Sequence, residues 1–217
     1  PIGSRGLGDV YKRQDYYNLD ERVYGNNQVY YGPDFSSHGT HVAGIVAADG
    51  SNNFGAKGIC SSCKIMSIRN VPEGDERDKD VANGIRYAAD NGAKIVNMSF
   101  GKGYSDFPLA VKEAIKYAAS KDVLLVHAAG NDGKNNDKSD NFPHDFNDAY
   151  PNWIEVGASN WRSGSKALAP FSNYGKTEVD LFSPGVDIYS TAPEKQYEAY
   201  DGTCLLYTSD AADEVVS

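Results

Sequence analysis

Two histidines three residues apart are the first side chains that could carry out chemistry. They lie in His38-Gly39-Thr40-His41, and small and apolar residues follow as far as Ala48. A histidine held rigidly in the first turn of a helix, with its ring facing a cleft, can act as a general base, because its pKa lies near neutral pH. Alternatively, His38 and His41 form a metal pair at i, i+3, although no HExxH pattern and no evident third ligand accompany them. A histidine that only packs at a helix start is a third interpretation.

A side-chain amide follows an apolar run further along the chain. Asn131 lies in VHAAGNDG, directly after the apolar residues 123–127. An amide at the carboxyl end of a strand can direct its N–H at negative charge that develops during a reaction. The small residues 128–130 leave room for a ligand beside the backbone. Taken alone, the segment is more typical of an ordinary Gly-Asn turn after a strand than of a functional site.

These segments resemble the motifs of one enzyme family. HGTHVAG, residues 38–44, is similar to the catalytic-histidine segment of the subtilisin-like serine proteases (peptidase S8, subtilases). Further ordered landmarks are AAGN at 128–131, SFG at 99–101, FSNYG at 171–175 and FSPG at 182–185. The resemblance covers nearly all of residues 31–203. It implies a serine endopeptidase that acts on peptides or proteins and is located outside the cell or in the periplasm or cell envelope.

The resemblance also implies a role for individual residues. His38 would be the general base, Asn131 the oxyanion-hole donor, and His41 a packed helix residue. The backbone of Ser99, Phe100 and Gly101 would pair with an extended substrate by strand addition. The remaining predicted substrate-binding residues are the pocket walls Ala128, Ala129 and Gly130.

Two members of the expected triad are not found. The family continues Gly202-Thr203 with the nucleophilic serine, but position 204 is cysteine. We do not interpret Cys204 as a thiol nucleophile, because the residues after it lack the expected buried helix. The aspartates that precede His38 are Asp9, Asp15, Asp20 and Asp34. Asp9 lies 29 residues before His38, a spacing that would suit the catalytic aspartate, but it falls within residues 5–14, which resemble adapter sequence. Asp34 is too close to His38, and Asp15 and Asp20 lack the family's strand and DxG pattern. We therefore expect the catalytic aspartate to lie upstream and the chain as written to be inactive.

Both ends of the chain resemble translated adapter sequence from transposon-based DNA libraries. The strings are RGLGDVYKRQ at 5–14 and CLLYTSDAADE at 204–214, and one DNA element read on opposite strands explains both. Such segments do not belong in an argument about the fold. We therefore expect non-native segments at 1–14 and 204–217, and a partial peptidase S8 domain at 15–203.

Helical and strand patterns alternate along the chain. Apolar spacing predicts helices over 79–91 and 108–120, the second beginning with Pro108. Short strands are predicted at 64–69, 94–100, 123–127, 154–157 and 179–182, and the polar residues 131–151 indicate a surface loop. This alternation predicts an α/β fold with a mostly parallel central sheet and helices on both faces. The resemblance specifies a three-layer subtilisin-like fold, truncated at both ends.

Composition narrows the choice of partners. The net charge of −9 makes nucleic-acid binding unfavourable, because an acidic surface repels phosphates. No apolar run approaches the ~18 residues of a membrane helix. The oligomeric state is not predicted.

Three smaller features suggest structural roles. Cys60 and Cys63 form a CxxC for which a local disulfide is slightly favoured over free thiols. No cofactor is required. The turn at Asn52 resembles a family loop that often binds calcium, but an ordinary turn rich in Asn and Gly is the favoured interpretation. The acidic run Glu73, Asp75, Glu76, Asp78 and Asp80 is interpreted as a solvated face, with selection of basic substrates as the alternative.

Overall fold

The computed structural model describes residues 5–6, 15–22, 24–71, 76–145 and 150–203 of the 217-residue chain. The chain divides into two compact units. The first unit comprises the described residues within 1–30, 66–127 and 138–155, and the second comprises those within 31–65, 128–137 and 156–203.

Helices and strands alternate through most of the chain. In chain order the helices are α1 (Pro33–Ala47), α2 (Asp78–Asp90) and α3 (Pro108–Ser120). The strands are β1 (Arg5–Gly6), β2 (Ile68–Arg69), β3 (Ile95–Met98), β4 (Leu124–Ala128), β5 (Trp153–Ser159), β6 (Leu181–Pro184), β7 (Ile188–Ala192) and β8 (Gln196–Tyr200). Short 3₁₀ turns occur at Gly164–Lys166 and Pro193–Lys195.

A four-stranded sheet has the strand order β3-β4-β5-β6. β3 pairs in parallel with β4, with Ile95 opposite Leu124, and β5 pairs in parallel with β6, with Val156 opposite Leu181. β1 and β2 form a separate parallel pair, whereas β7 and β8 form an antiparallel hairpin. The prediction of an α/β fold with a mostly parallel sheet is therefore confirmed.

Helices α2 and α3 enclose the apolar core of the first unit. Apolar residues at every third or fourth position direct one face of each helix inward. Buried core residues on these helices include Val81, Ala82, Ile85 and Ala89 of α2, and Val111, Ala114, Ile115 and Ala118 of α3. Helix α3 has the predicted bounds, because Pro108 occupies the first turn, where a missing N–H costs no hydrogen bond.

The acidic residues around the start of α2 are buried, so the prediction of a solvated face is wrong for Glu76, Asp78 and Asp80. The Asp78 carboxylate accepts hydrogen bonds from Ser105 Oγ at 2.9 Å and Phe107 N at 2.7 Å, and it lies 2.8 Å from Lys102 Nζ. A carboxylate can be buried when such partners replace its water. The other members of the run, Glu73 and Asp75, lie outside the described residues.

Helix α1 packs on the β7–β8 hairpin in the second unit. The buried His41 ring lies between them, and its Nε2 hydrogen-bonds the carbonyl oxygens of Ile188 at 2.9 Å and Glu198 at 3.1 Å. The same ring stacks on Tyr200 with a centroid separation of 4.3 Å. Because both acceptors are carbonyls, Nε2 must carry the ring proton. One imidazole thus holds both strands of the hairpin against the helix.

Sequence patterns do not predict this hairpin. Its turn contains Glu194 and Lys195, whose φ angles are +58° and +63°. Left-handed backbone costs a non-glycine residue roughly 1–2 kcal/mol, so turns of this kind are usually marked by Gly or Asn. The pairing of β7 with β8 and their packing on α1 must therefore hold the turn in place.

The start of α1 also differs from the prediction. The helix begins at Pro33, five residues before His38, so the histidine lies in the second turn and not the first. Proline at the first helical position has the φ angle that a helix needs.

Gly44 of α1 packs tightly against Ser190 and Thr191 of β7. In the preceding turn of the helix, Ser190 Oγ donates to the His41 carbonyl at 2.8 Å and Thr191 Oγ1 donates to the Thr40 carbonyl at 2.9 Å. A methyl group at Gly44 would overlap both hydroxyls, whereas one at Gly39, also in α1, would meet nothing within 4 Å.

We expect Gly44→Ala to lower the free energy of unfolding by about 1–3 kcal/mol through overpacking. The matched variant Gly39→Ala should raise it by roughly 0.5–1 kcal/mol, because alanine favours a helix. Urea unfolding followed by circular dichroism measures both. Equal stability of the two variants would contradict the close packing of α1 on β7.

Candidate active site

The two histidines of the predicted motif have opposite environments in α1. His38 is exposed to solvent, whereas His41 is fully buried between the helix and the hairpin. His41 therefore has the packing role that was expected of it. His38 keeps a ring that a substrate can reach.

The pKa of His38 is lowered from its ordinary value, first by burial of part of the ring and second by the nearby His41. Both effects disfavour the imidazolium form. Water still reaches this exposed residue and screens them. A lowered pKa favours the uncharged ring at neutral pH, which is the form that a general base requires.

The geometry does not favour the alternative metal pair. Nε2 of His41 is occupied by two backbone carbonyls, and its Nδ1 is buried without a hydrogen-bond partner among the described residues. Within the same part of the chain, no group of three or more His, Cys, Asp or Glu side chains could hold a metal ion.

Asn131 lies just beyond the end of β4, and the oxygen of its side-chain amide is held by a hydrogen bond. The backbone N–H of Thr203 donates to Asn131 Oδ1 at 3.1 Å, while the Gly130 N–H faces Thr203 Oγ1 at 3.4 Å. Because Oδ1 is used as an acceptor, the Nδ2 group is directed away from Thr203 and can donate elsewhere. Asn131 is exposed, so a ligand can reach that amide.

The small residues before Asn131 are rigidly held. The Ala129 N–H donates to the Val156 carbonyl at 2.9 Å, and Asn136 Nδ2 donates to the Ala129 carbonyl at 2.9 Å. Gly130 has a φ angle of +103°, which favours glycine at this position. Ala128 and Ala129 are buried, and Gly130 is half-buried.

Asn173 is a supporting residue that sequence reasoning missed. Its buried side-chain oxygen accepts hydrogen bonds from the N–H groups of Asp132 at 3.0 Å and Lys134 at 2.9 Å. Its own N–H donates to the Gly130 carbonyl at 2.8 Å. Asn173 therefore fixes the backbone on both sides of Asn131. The FSNYG landmark contains it, but the motif alone does not reveal this contact.

Ser99, Phe100 and Gly101 follow β3 in the first unit, whereas His38, Ala128–Gly130 and Asn131 belong to the second unit. The Phe100 carbonyl is 2.7 Å from Nε2 of the buried His127. Asn97 Nδ2 donates to Ser99 Oγ at 2.6 Å. The structure thus groups His38, the small residues and Asn131 in one compact unit, and it describes the SFG segment in the other.

The other predicted sites are local. Cys60 and Cys63 form the disulfide, with their Cα atoms 5.3 Å apart. Asn52 Oδ1 accepts a hydrogen bond from the Phe54 N–H at 2.9 Å. Cys204 and Asp9 lie outside the described residues. Among the described helices, none has the length and apolar character needed to cross a membrane.

Comparison with known proteins decides the family. A family model for peptidase S8, the subtilase family, matches residues 3–212. This chain is a subtilase. The family that was predicted from the His38 segment is therefore confirmed.

Several relatives of the subtilase are named as serine proteases. It is 38% identical over 174 residues to the major intracellular serine protease of Bacillus subtilis (strain 168), an alignment that covers 79% of this chain and 52% of the relative. It is 39% identical over 174 residues to the thermophilic serine proteinase of Bacillus sp. (strain AK1), covering 79% and 40%. The chain spans about half the length of the curated relatives that it matches.

Solved structures agree with this assignment. Sphericase superposes with a TM-score of 0.70 at 28% identity, covering 87% of this chain and 64% of that one. The protease domain of PatA superposes with a TM-score of 0.67 at 29% identity, covering 82% and 64%. The subtilisin-like fold is therefore confirmed as well.

The relatives do not support the predicted location. Two of them, from Bacillus subtilis and Paenibacillus polymyxa, are named as intracellular serine proteases. Others are named as subtilisins. Membership of the family therefore does not assign this subtilase to the outside of the cell, the periplasm or the cell envelope.

We expect His38 to titrate below the ordinary histidine value of about 6.5 in the folded chain, because burial and His41 disfavour its charged form. The unfolded chain then binds more protons in this range. His38 therefore lowers stability below its folded pKa, and this penalty disappears as the pH rises above the unfolded value. An NMR titration of the ring measures the folded pKa, and the urea-unfolded chain is the control. A folded value at or above the control would contradict this environment.

Proposed function

We propose that this subtilase is a serine endopeptidase, which cleaves peptide bonds by acyl transfer to a serine. The hydrogen bond from the Thr203 N–H to Asn131 Oδ1 is the observation that carries the proposal. It holds a side-chain amide beside the residue that precedes position 204, where the family has its nucleophile. An amide fixed next to a nucleophile suits the stabilisation of a developing oxyanion.

The proposed reaction uses this chain's residues in the following way. Neutral His38 takes the proton of the attacking serine hydroxyl and later gives it to the leaving amine. Asn131 Nδ2 donates to the oxyanion of the tetrahedral intermediate. The backbone of Ser99–Gly101 pairs with the extended substrate, and the small residues Ala128–Gly130 form the walls of the pocket beside the scissile bond.

Two other functions would use the same residues differently. A homologue without catalytic activity could bind peptides, but the anchored Asn131 amide and the accessible His38 ring have no evident use in such a protein. A metal-dependent hydrolase would need His41, whose Nε2 is already bonded to the carbonyls of Ile188 and Glu198. The observed contacts therefore favour the serine endopeptidase.

The proposed chemistry requires no cofactor, since acyl transfer uses only protein groups. A structural calcium at the turn of Asn52 is a separate proposal. The Asn52 amide oxygen already accepts one hydrogen bond and retains a second lone pair. Peptides or proteins are the proposed substrates, and the acidic composition still argues against nucleic acid as a partner.

We expect Asn131→Ala to lower kcat about 10²–10³-fold in the protein encoded by the complete gene, which is the loss known for this donor in subtilisin. Asn131→Asp should lose at least as much. Its carboxylate can still accept from Thr203, but it has no N–H to donate and it repels an oxyanion. The exposed Asn91→Ala in the first unit is the control and should leave kcat unchanged. If Asn131→Asp kept full kcat, Asn131 would not be the oxyanion donor.

We expect the 217-residue chain as written to have no peptidase activity, because cysteine stands at position 204 and the aspartates before His38 lack the family pattern. Casein turnover by the purified chain tests this expectation. The complete gene should instead encode an Asp-containing strand upstream and a serine after Gly202-Thr203, and its product should be labelled by a fluorophosphonate. Activity that resists the fluorophosphonate but is lost with a chelator would support the metal-dependent hydrolase.

A further inference from the structure

A buried histidine that the proposed reaction does not use lies between two hydrogen-bond acceptors. His127 in β4 is 1% exposed. Its Nδ1 is 2.9 Å from Glu155 Oε2, and its Nε2 is 2.7 Å from the carbonyl oxygen of Phe100. Glu155 is also buried, at 5% exposure.

Counting protons restricts the state of this pair. The Phe100 carbonyl can only accept, so Nε2 must carry a hydrogen. A second proton must lie between Nδ1 and the carboxylate, since an unprotonated Nδ1 facing an ionised carboxylate would bring two acceptors together inside the protein. The pair is therefore an imidazolium with a carboxylate, or a neutral ring with a protonated carboxyl. In both cases Nε2 donates to Phe100.

The Nε2–H of His127 donates to a residue of the segment that is proposed to bind substrate. Phe100 is the middle residue of Ser99–Gly101. Because the peptide group is planar and trans, the N–H of Gly101 points away from the Phe100 carbonyl and hence away from His127. Gly101 is exposed, so its N–H is available to pair with an extended peptide.

The other Glu155 oxygen links the pair to Gly101 from a second side. Asn141 Nδ2 lies 3.4 Å from Glu155 Oε1, and a Cβ at Gly101 would come within 2.6 Å of Asn141 Oδ1. The next residues pair through their backbones, with Lys102 N–H to Phe142 O at 3.0 Å and Phe142 N–H to Lys102 O at 2.7 Å. The segment Ser99–Gly101 is therefore supported by His127 on one side and by Asn141 and Phe142 on the other.

We propose that His127, held by Glu155, is a positioning residue for the peptide-binding edge: it fixes the Phe100 carbonyl and thereby directs the Gly101 N–H toward an extended substrate. This role rests on the proposed function, because it assumes that a peptide pairs with this edge. The requirement is for a donor at Nε2 and not for a net charge. A neutral pair that keeps both hydrogen bonds should therefore serve equally well.

Substitutions separate the hydrogen bond from simple packing. Glu155→Gln keeps both bonds, because its amide can donate to Nδ1 while Nε2–H still donates to Phe100. The double variant His127→Leu with Glu155→Leu removes the donor without leaving an unpaired buried charge, so it should fold. Val126→Ala, also buried in β4, is a control for loss of stability alone.

Peptide affinity is the main measurement, made with a fluorescein-labelled hexapeptide and dipeptide of casein sequence on the protein from the complete gene, in which the expected nucleophilic serine is changed to alanine so that the peptides are not cleaved. The double Leu variant should weaken hexapeptide binding on the order of tenfold, the size of one lost hydrogen bond, and leave dipeptide binding unchanged. Glu155→Gln and Val126→Ala should stay within about twofold of the unaltered protein, because both keep the donor to Phe100. Unchanged hexapeptide binding in a folded double Leu variant would overturn the proposal.

NMR of the ¹⁵N-histidine-labelled 217-residue chain gives a second test that does not depend on peptide binding. The His127 Nε2–H should be observed and should persist in Glu155→Gln. An unprotonated Nε2 would overturn the proposal. If the complete-gene protein neither binds the hexapeptide nor reacts with a fluorophosphonate, the proposed function fails and the positioning role fails with it. If it does both but the double Leu variant binds normally, only the positioning role fails.

Discussion

A single buried N–H group joins α1 to both strands of the β7–β8 hairpin. His41 Nε2 donates to a carbonyl of each strand, and a buried donor that lost these acceptors would cost about 1–3 kcal/mol. The ring sits one helical turn after His38, and the hairpin ends at Tyr200, three residues before Thr203. The helix with the proposed base and the chain that approaches position 204 are therefore held by the same side chain.

Buried polar groups have a similar function in both units. In the first unit, Asp78 joins Lys102 to the residues just before α3, and His127 joins Glu155 to the Phe100 carbonyl. In the second unit, Asn173 holds the backbone around Asn131. Each of these groups is costly to bury unless its partners are in place. Each therefore favours one backbone conformation over the alternatives. Each of these groups also lies beside a segment with a proposed catalytic or substrate-binding role.

Sequence patterns predicted the elements whose formation depends on residues close together in the sequence. Helices α2 and α3 follow from apolar spacing, and the bounds of α3 follow from Pro108. The hairpin was missed because Glu194 and Lys195 carry no turn signal. The burial of Asp78 was missed because a charged residue in the first turn of a helix usually faces water, and its partners Ser105 and Lys102 lie more than twenty residues away in sequence.

The sequence by itself determined the family and named the residues proposed to catalyse. HGTHVAG and AAGN are contiguous strings, and contiguous strings can be recognised without a fold. Only the tertiary structure decided that His41 clamps a hairpin, that Thr203 orients Asn131, and that His127 supports Phe100. These contacts join residues 27 to 157 positions apart. A hydrogen bond depends on the distance and direction between two groups in space. The separation of two residues in the sequence gives neither quantity, because both are set only when the chain folds.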